Sequence, residues 1–483
     1  MLRKNFLWGG GVAAPQAEGA FNVDGRTMSV ADTMLFQPKG DRTKTIQYYV
    51  DHQSIKLAKE DTDHYKYPKR GGIDFYHTYK EDIKLLAGMN FKAFRFSISW
   101  SRVYPNGDDA LPNELAMKFY NNVIDECLKY NMEPIITISH FDMPLVLIEK
   151  FDGWNNRHLI DLYYNYATTV IERFGHKVKY WLNFNEINMS VKAGPKCLGI
   201  IDLKDGKHEE RLFQGLHHQF VASAKVTEFA HNFNHEIMVG SMVAYFTTYA
   251  YTCRPEDAFL QVQDDQMRNL FFLDILHKGE YPYYATAYFK NNNISINKTE
   301  EDLEVIKNNT ADFVGFSYYN SKITTNDTQG LELTAGNVQS VYKNPHLKSN
   351  EWGWQVDPLG LRNTMNHLFD RYNLPIFILE NSSGFFDELT EDNKIHDPYR
   401  SEFLRLHIKE MKNAVDLDGV DLLGYIMWGP IDVVSSSKSE MTKRYGFIYI
   451  DQDNYGNGSK KRYIKDSYYW YKQVIDTNGE NLD

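Results

Sequence analysis

The segment FKAFRFSIS, residues 91–99, decides the fold of this chain because its apolar side chains run almost without interruption. Seven other segments share that pattern: FLWGGGV (6–12), PIITIS (134–139), YWLNFN (180–185), IMVGSMV (237–243), FVGFSYY (313–319), PIFILE (375–380) and LLGYIMW (422–428). Nearly continuous hydrophobic runs of this length are typical of parallel strands that are buried on both faces of a sheet. The sequence therefore predicts eight such strands.

Amphipathic helices are predicted between these strands. Two apolar helical faces stand out, one formed by Leu159, Tyr163, Tyr166, Ala167, Val170 and Phe174, the other by Tyr120, Val123, Ile124, Cys127 and Leu128. Strands that alternate with helices indicate an α/β fold, and eight of them predict a single-domain (β/α)8 TIM barrel over residues 1–483. A doubly wound sheet is the alternative, but GGGVAAPQ, residues 9–16, lacks the glycine spacing of its phosphate-binding turn.

The composition excludes several classes of function. A net charge of -11 argues against binding to nucleic acids or anionic membranes, and no run of about 18 apolar residues predicts a membrane span. Cys127, Cys197 and Cys253 have no paired spacing, which is typical of a reducing compartment. The first twenty residues lack the continuous apolar core of a signal peptide, so a cytoplasmic location is expected. The sequence leaves open whether the chain forms a homo-oligomer.

Polar side chains stand at the ends of the predicted strands, where TIM-barrel enzymes carry their chemistry. They are Gln16, His140, Asn185, Glu186, Tyr319, Glu380 and Trp428. Glu186 and Glu380 end the fourth and seventh strands, on opposite sides of the predicted barrel mouth. Glycoside hydrolysis requires such a pair, because one carboxyl group protonates the leaving oxygen while the other, ionised, attacks or stabilises the anomeric carbon. Long βα loops at 24–70 and 320–357 are expected to complete the site.

Five segments resemble, in order, the signature segments of glycoside hydrolase family 1, the retaining β-glycosidases. They are FLWGGGVAAPQAEGAF, RFSISWSRVYPNG, ISHFDMPLVL, WLNFNEIN and PIFILEN, and the similarity extends from about residue 5 to 475. The resemblance implies Glu186 as the general acid/base and Glu380 as the nucleophile, with their carboxyl groups roughly 5–5.5 Å apart. It also implies sugar contacts by Gln16, His140, Asn185 and Trp428, orientation of Glu380 by Arg95 and Tyr319, and stacking of the leaving group on Trp354. It implies no metal and no cofactor.

Two departures from the family pattern lie close to the implied chemistry. Glu380-Asn381 is followed by SSG, whereas the family usually has Gly directly after Asn, so the turn is expected to differ. Ser317 stands where many members have Asn, which removes an amide partner expected near the nucleophile. Neither departure removes a carboxyl group that the chemistry needs.

The loop after the eighth strand, VSSSKSEMTKRYGF at 434–447, concentrates serine and basic residues in an acidic chain. Family members that act on free glucosides place a Glu-Trp pair here, which binds the 4- and 6-hydroxyls of the sugar. This loop resembles instead the phospho-β-glycosidase branch, in which Ser, Lys and Tyr bind a 6-phosphate. The matching positions are Ser437, Lys443 and Tyr445, with Ser436 as the alternative serine. Lys438 and Ser439 either add phosphate contacts or face solvent.

The resemblance therefore implies hydrolysis of a small-molecule 6-phospho-β-glucoside, such as phosphorylated cellobiose or an aryl β-glucoside 6-phosphate. A 6-phospho-β-galactosidase is the first alternative, but relatives of that type carry Trp beside the phosphate serine, and here no Trp occurs between Trp428 and Trp470. A sugar-phosphate-binding protein with weak or no catalysis is the second. Such proteins have usually lost one carboxylate, whereas this chain keeps both.

Overall fold

The computed structural model describes residues 1–36, 38, 50–201, 206–335 and 340–483. Its central sheet is parallel, with strands at Leu7–Gly11, Ala93–Ser97, Glu133–Ser139, Tyr180–Phe184, Met238–Gly240 with Val243–Ala244, Val314–Tyr318, Ile376–Asn381 and Leu422–Trp428. Each of these strands overlaps one of the eight predicted segments. Neighbours in the sheet follow the chain order, and the first strand pairs with the eighth, Gly11 lying opposite Trp428. The predicted (β/α)8 barrel is confirmed.

The fifth barrel strand is divided into two short pieces, where the sequence predicted one run. Met238–Gly240 pairs with the fourth strand and Val243–Ala244 pairs with the sixth, so that the two pieces together close the barrel. Ser241 lies between the pieces, and its hydroxyl accepts a hydrogen bond of 3.2 Å from the backbone N–H of Gly315. A side-chain oxygen thus satisfies a sixth-strand amide at this point, which explains why the regular ladder is interrupted there.

Helices surround the barrel and connect successive strands. The longer ones are Phe75–Gly88, Glu114–Lys129, Leu159–Phe174, His208–Phe233, Pro255–Asp265, Phe271–Lys278, Tyr283–Asn291, Glu300–Asn308, Pro358–Tyr372, Pro398–Asp416 and Asp466–Asp476. Both predicted helical faces lie on helices of this set, and their residues are buried except Leu128, which is 38% exposed. Leu128 occupies the last turn of its helix and borders a surface groove with Asn131 and Met132, so the apolar face is exposed at this end.

Short elements occupy the loops around the barrel. The helical ones are Ala14–Ala17, Val30–Thr33, His52–Glu60, His64–Lys66, Pro68–Gly71, Trp100–Val103, Leu145–Phe151, Gly153–Asn155, Ile187–Val191, Gly194–Cys197 and Gln266–Leu270. Among the described residues, three small sheets pair Thr248–Ala250 with Lys322–Thr324, Leu333–Thr334 with Val341–Tyr342, and Ile448–Ile450 with Arg462–Ile464. The predicted long loops 24–70 and 320–357 lie partly outside the described residues.

Apolar side chains fill two layers. One cluster lies inside the barrel and includes Ala93, Ile135, Leu182, Phe377, Leu379 and Ile426, while a larger one packs the strands against the helices. Arg95 follows Ala93 at the same parity on the second strand, so its side chain enters the barrel at the upper end of this inner layer. Within the described residues, no helix combines the length and the apolar character needed to cross a bilayer.

Candidate active site

A cavity of about 580 Å³ opens at the carboxyl ends of the barrel strands. The residues predicted from sequence that line it are Gln16, His140, Asn185, Glu186, Tyr319, Glu380, Trp428, Ser437 and Tyr445, together with the alternative serine Ser436. Arg95, Trp354 and Lys443 lie behind its wall, in contact with lining residues. The fold therefore brings all of the predicted site residues to one end of the barrel.

A β-bulge in the seventh strand aims Glu380 at the cavity. Ile378 lies opposite Phe316 and Glu380 lies opposite Ser317, so Leu379 is an extra residue between two consecutive partners. Leu379 points into the barrel, and without the bulge Glu380 would point away from it. Bulges beside active sites commonly redirect a side chain in this way. Sequence periodicity contains no signal for this register shift.

Arg95 and Tyr319 hold both carboxylate oxygens of Glu380. Arg95 Nη1 donates to Oε1 at 2.7 Å, and the Tyr319 hydroxyl donates to Oε2 at 2.7 Å. Burial raises the pKa of Glu380, while the Arg95 charge and the Tyr319 hydroxyl pull that pKa down. Both contacts stabilise the ionised form, which is the form that a nucleophile needs.

Arg95 also connects the two carboxyl-bearing strands. Its Nε donates to Thr137 Oγ1 at 3.0 Å, and its Nη2 donates to Asn185 Oδ1 at 2.5 Å. Asn185 directly precedes Glu186, so one buried guanidinium fixes the end of the fourth strand and the carboxylate at the end of the seventh. These contacts orient Asn185 so that its amide nitrogen is available to the cavity that it lines.

Glu186 has a contrasting environment. Its backbone, two residues after the fourth strand, adopts a left-handed conformation with φ of 42°, which is uncommon for a residue with a side chain. Ser317 Oγ donates to Glu186 Oε1 at 2.6 Å. Burial, reinforced by the nearby charge of Glu380, raises the pKa of Glu186 to about 7. Ser317 was expected to matter for the nucleophile, but the residue that it contacts is Glu186.

His140 and Trp428 form the wall on the side of the third and eighth strands. Their rings stack with centroids 5.4 Å apart, and both side chains are buried. Burial, together with the charges of Arg95 and Lys196, holds the pKa of His140 well below its usual value, so the ring is neutral. Within the described residues His140 Nδ1 has no hydrogen-bond partner. A neutral imidazole in the cavity wall can exchange a hydrogen bond with a ligand hydroxyl.

The serine loop, residues 434–440, is held in place by side chains from other loops. Gln16 Nε2 donates to the Val434 carbonyl at 2.7 Å, and Lys69 Nζ donates to the Ser436 carbonyl at 2.7 Å. Lys196 Nζ donates to the Ser436 hydroxyl at 2.7 Å. In the described structure the Ser437 hydroxyl has no such side-chain partner, although Ser437 also lines the cavity. The two serines that the sequence left open therefore differ, since the Ser436 hydroxyl already accepts a hydrogen bond from Lys196 while both residues line the cavity.

Lys443 reaches this end of the site through an aromatic enclosure. Its Nζ lies 5.1 Å from the ring centre of Trp354, 5.5 Å from that of Trp352 and 5.9 Å from that of Tyr445. Gly384 provides the space for its stem, since a Cβ at that position would lie 2.4 Å from Lys443 Cγ. This observation gives a physical reason for the glycine of the SSG segment.

Trp354 is buried between Tyr319 and Tyr445, with ring centroids 6.1 Å and 6.4 Å away. The stacking of a leaving group on Trp354 stays a prediction.

In the cluster of serine and basic residues at 434–447, Arg444 has structural contacts, since it donates to the carbonyls of Ile450 and Gln452 at 2.9 and 2.7 Å. Ser439 is fully buried, so it does not face solvent.

Sequence reasoning missed three residues near the serine loop. Lys196 lines the cavity, Lys69 is buried beneath Ser436, and Glu440 places a carboxylate oxygen 4.0 Å from Lys443 Nζ. Lys69 and Lys196 come from the loops after the first and fourth strands, and no local pattern connects either of them with residues 434–440. Glu440 was visible in the loop as a carboxylate three residues before Lys443.

Comparisons with known proteins agree with this geometry. The glycosyl hydrolase family 1 model matches residues 1–480. The chain belongs to this family and is a glycosidase. It is 46% identical over 483 residues to the aryl-phospho-β-D-glucosidase BglH of Bacillus subtilis. The aligned region covers 99% of this chain and 98% of that protein. It is 45% identical over 484 residues to a 6-phospho-β-glucosidase of Clostridium longisporum, with the same coverage.

Solved structures give the same result for the fold. The family 1 β-glucosidase of Thermotoga maritima superposes with a TM-score of 0.81 at 27% sequence identity, over 99% of each chain. Glu186 is a buried carboxyl group with a pKa near neutrality, whereas the carboxylate of Glu380 is bound by the guanidinium of Arg95. Two carboxyl groups in such different environments can serve as the acid and the ionised carboxylate of a glycosidase. The described part of the chain contains no group of three or more His, Cys, Asp or Glu side chains suited to a metal ion.

Proposed function

We propose that this protein hydrolyses 6-phospho-β-D-glucosides with retention of configuration, releasing glucose 6-phosphate and an aglycone. The observation that carries the proposal is that one cavity is lined by Glu186 and Glu380 and also by Ser437 of the serine loop and by Tyr445, which follows that loop. A pair of carboxyl groups can cleave the glycosidic bond, and the hydroxyl groups beside Lys443 can bind a phosphate. The names of the similar curated proteins support the same substrate class.

In the first step Glu380 attacks the anomeric carbon while Glu186 transfers its proton to the glycosidic oxygen, so the aglycone leaves as a neutral alcohol or phenol. In the second step Glu186, now ionised, takes a proton from water, whose oxygen displaces Glu380 from the anomeric carbon. Two displacements restore the original configuration. The pKa values support these assignments, since Glu186 has a pKa of about 7 and is partly protonated at neutral pH.

Recognition of the phosphate is assigned to Ser437, Lys443 and Tyr445. Burial raises the pKa of the Tyr445 hydroxyl, so Tyr445 stays protonated and donates a hydrogen bond. Lys443 supplies a positive charge inside an enclosure of aromatic rings, where water screens it poorly. Gln16, His140, Asn185 and Trp428 are assigned to the sugar ring. We take residues 1–483 as one catalytic domain acting in the cytoplasm, where a transporter that phosphorylates sugars during uptake would supply the substrate.

The two alternatives predict different rates. A 6-phospho-β-galactosidase would prefer the phosphorylated galactoside, and a binding protein would turn over neither substrate. Purified protein should be assayed with p-nitrophenyl β-D-glucoside 6-phosphate, the matching galactoside 6-phosphate and both unphosphorylated compounds. We expect the highest kcat/KM for the phosphorylated glucoside, and a discrimination of about 10⁴-fold against the plain glucoside. Equal rates on phosphorylated and plain glucosides would refute the proposal.

A further inference from the structure

Lys196 lies in the wall of the catalytic cavity, in the short helix Gly194–Cys197 after the fourth strand. Its side chain extends across the cavity mouth to the loop after the eighth strand, where Nζ donates a hydrogen bond of 2.7 Å to the Ser436 hydroxyl. The same Nζ lies 4.5 Å from the ring centre of Phe141. The fourth and eighth strands stand on opposite sides of an eight-stranded barrel, so this contact crosses the entrance to the site.

Lys196 differs in position from the other lysines around the serine loop. Lys69 is buried, and its Nζ donates hydrogen bonds to the Ser436 carbonyl and, at 3.0 Å, to Met34 Sδ. Lys443 and Lys438 lie over the ring of Trp352, at 5.5 and 5.6 Å. In the described ranges, Lys196 is the one lysine among these four that lines the cavity.

The charge of Lys196 is poorly compensated within the protein. Its nearest described polar partner is a neutral hydroxyl, and in the described part of the chain no carboxylate lies within 4 Å of its Nζ. Lys443, by contrast, has Glu440 at 4.0 Å. Burial lowers the pKa of Lys196, and the more distant charges of Glu186 and Glu380 act in the opposite direction. Lys69 lies against the same Ser436, and burial, followed by the charge of Lys196, holds the pKa of Lys69 well below its usual value.

The Lys196 ammonium group, with a neutral hydroxyl as its nearest described polar partner, leaves a local excess of positive charge in the cavity wall that Ser437 also lines. A dianionic ligand would relieve this excess, and the flexible stem of Lys196 allows its Nζ to leave Ser436 for a ligand oxygen. We propose that Lys196 is a specificity-determining residue that binds the 6-phosphate from the side opposite Lys443. This inference rests on the proposed function, because it assigns a further cation to the same phosphorylated substrate.

The test compares Lys196→Gln and Lys196→Arg with Lys192→Gln, an exposed lysine of the same loop that removes equal charge. Each variant is assayed with p-nitrophenyl β-D-glucoside 6-phosphate and with the plain glucoside, after thermal melting has checked the fold. Lys196→Gln should lower kcat/KM for the phosphorylated substrate by about 10-fold or more, chiefly through KM, since a charge-assisted contact is lost. The plain glucoside should change less than about 2-fold, Lys196→Arg should recover part of the loss, and Lys192→Gln should resemble wild type.

The outcomes separate this inference from the proposed function. If the wild type itself shows no preference for the phosphorylated glucoside, the proposed function fails. If the wild type discriminates and Lys196→Gln discriminates equally well, only the role of Lys196 fails. Equal losses on both substrates would likewise overturn it, because they would indicate a structural role. A β-glucoside with a carboxylated aryl aglycone completes the test, since a loss that follows the aglycone charge instead of the phosphate would place Lys196 on the leaving-group side and overturn the inference.

Discussion

Ser317 Oγ donates a 2.6 Å hydrogen bond to Glu186, although Ser317 lies opposite Glu380 in the sheet. A residue of the sixth strand therefore contacts the carboxyl group of Glu186 through its side chain and pairs with Glu380 through the strand register. The contact favours the ionised form of Glu186 and lowers its pKa, against the larger effect of burial. The serine thus helps to set how much of the acid form of Glu186 exists at neutral pH.

The first prediction concerns that contact. Ser317→Ala removes a hydrogen bond that favours the carboxylate, so the pKa of Glu186 should rise above its value of about 7. Because catalysis needs Glu186 protonated, the alkaline limb of the kcat/KM profile should move to higher pH, by about one pH unit. The measurement is kcat/KM from pH 5 to 9 on an aryl glucoside 6-phosphate. An alkaline limb that stays in place would show that Ser317 does not act on the acid/base.

A second prediction concerns Tyr319, whose hydroxyl contacts Glu380 as the Ser317 hydroxyl contacts Glu186. The Tyr319 hydroxyl lowers the pKa of Glu380, so Tyr319→Phe should raise that pKa. Since catalysis needs Glu380 ionised, the acidic limb should move to higher pH while the alkaline limb stays near its wild-type position. Ser317→Ala should therefore move the alkaline limb of the kcat/KM profile, and Tyr319→Phe should move the acidic limb. If both variants moved the same limb, the assignment of acid/base and nucleophile would be wrong.

A third prediction separates the two carboxyl groups by their chemistry. Glu380→Gln should abolish turnover even of substrates with good leaving groups, because no nucleophile remains. Glu186→Gln should still form the glycosyl-enzyme from such substrates, which need little acid assistance, and should then stall because water is not activated. Added azide needs no general base and should restore product release in Glu186→Gln only. Proton NMR of the first sugar formed by wild type should show the β-anomer, and an α-anomer would exclude double displacement.

The sequence predicted more of the barrel than of its site. Each strand was predicted from an apolar run, because burial on both faces produces a continuous hydrophobic pattern that can be read from the strand's own sequence. The bulge at Leu379 could not be predicted, since it depends on how Glu380 pairs with Ser317 across the sheet. The contact of Lys196 with Ser436 joins loops 240 residues apart, and no periodicity encodes it. Chemistry-bearing residues at strand ends were predictable, whereas the hydrogen bonds among them were not.

A fourth prediction concerns Trp354. The family resemblance places the leaving group on this ring, which predicts that Trp354→Ala raises KM for aryl substrates more than it alters the preference for phosphate. Its burial between Tyr319 and Tyr445, below Lys443, predicts a different result, namely a loss of about 3–5 kcal/mol in the free energy of unfolding and a weaker preference for phosphate. We expect the second result. Denaturant unfolding together with KM for two aryl aglycones, each with and without phosphate, distinguishes the two roles, and Trp354→Phe serves as the milder control.

The last prediction is that Lys443 makes the 6-phosphate obligatory. Lys443→Met keeps an apolar stem of similar length against Gly384 and Trp354 but removes the charge, so the fold should be retained. Loss of a charge-assisted contact should lower kcat/KM for the phosphorylated glucoside by about 10- to 100-fold. The plain glucoside should not improve, because the chain has no Glu-Trp pair after Trp428 to bind free 4- and 6-hydroxyls.

Three companion variants make that result specific. Ser437→Ala should have a smaller effect than Lys443→Met, since it removes a neutral donor. Lys438→Met removes equal charge from the same loop but should change the phosphate preference less, because it leaves in place Lys443, whose Nζ lies 5.9 Å from the ring centre of the cavity-lining residue Tyr445. Glu440→Gln removes the carboxylate 4.0 Å from Lys443 and should strengthen binding of the phosphorylated substrate, seen as a lower KM. If Lys438→Met matched Lys443→Met, the loop would attract the phosphate through its overall charge, and the assignment of Lys443 as the phosphate-binding lysine would be wrong.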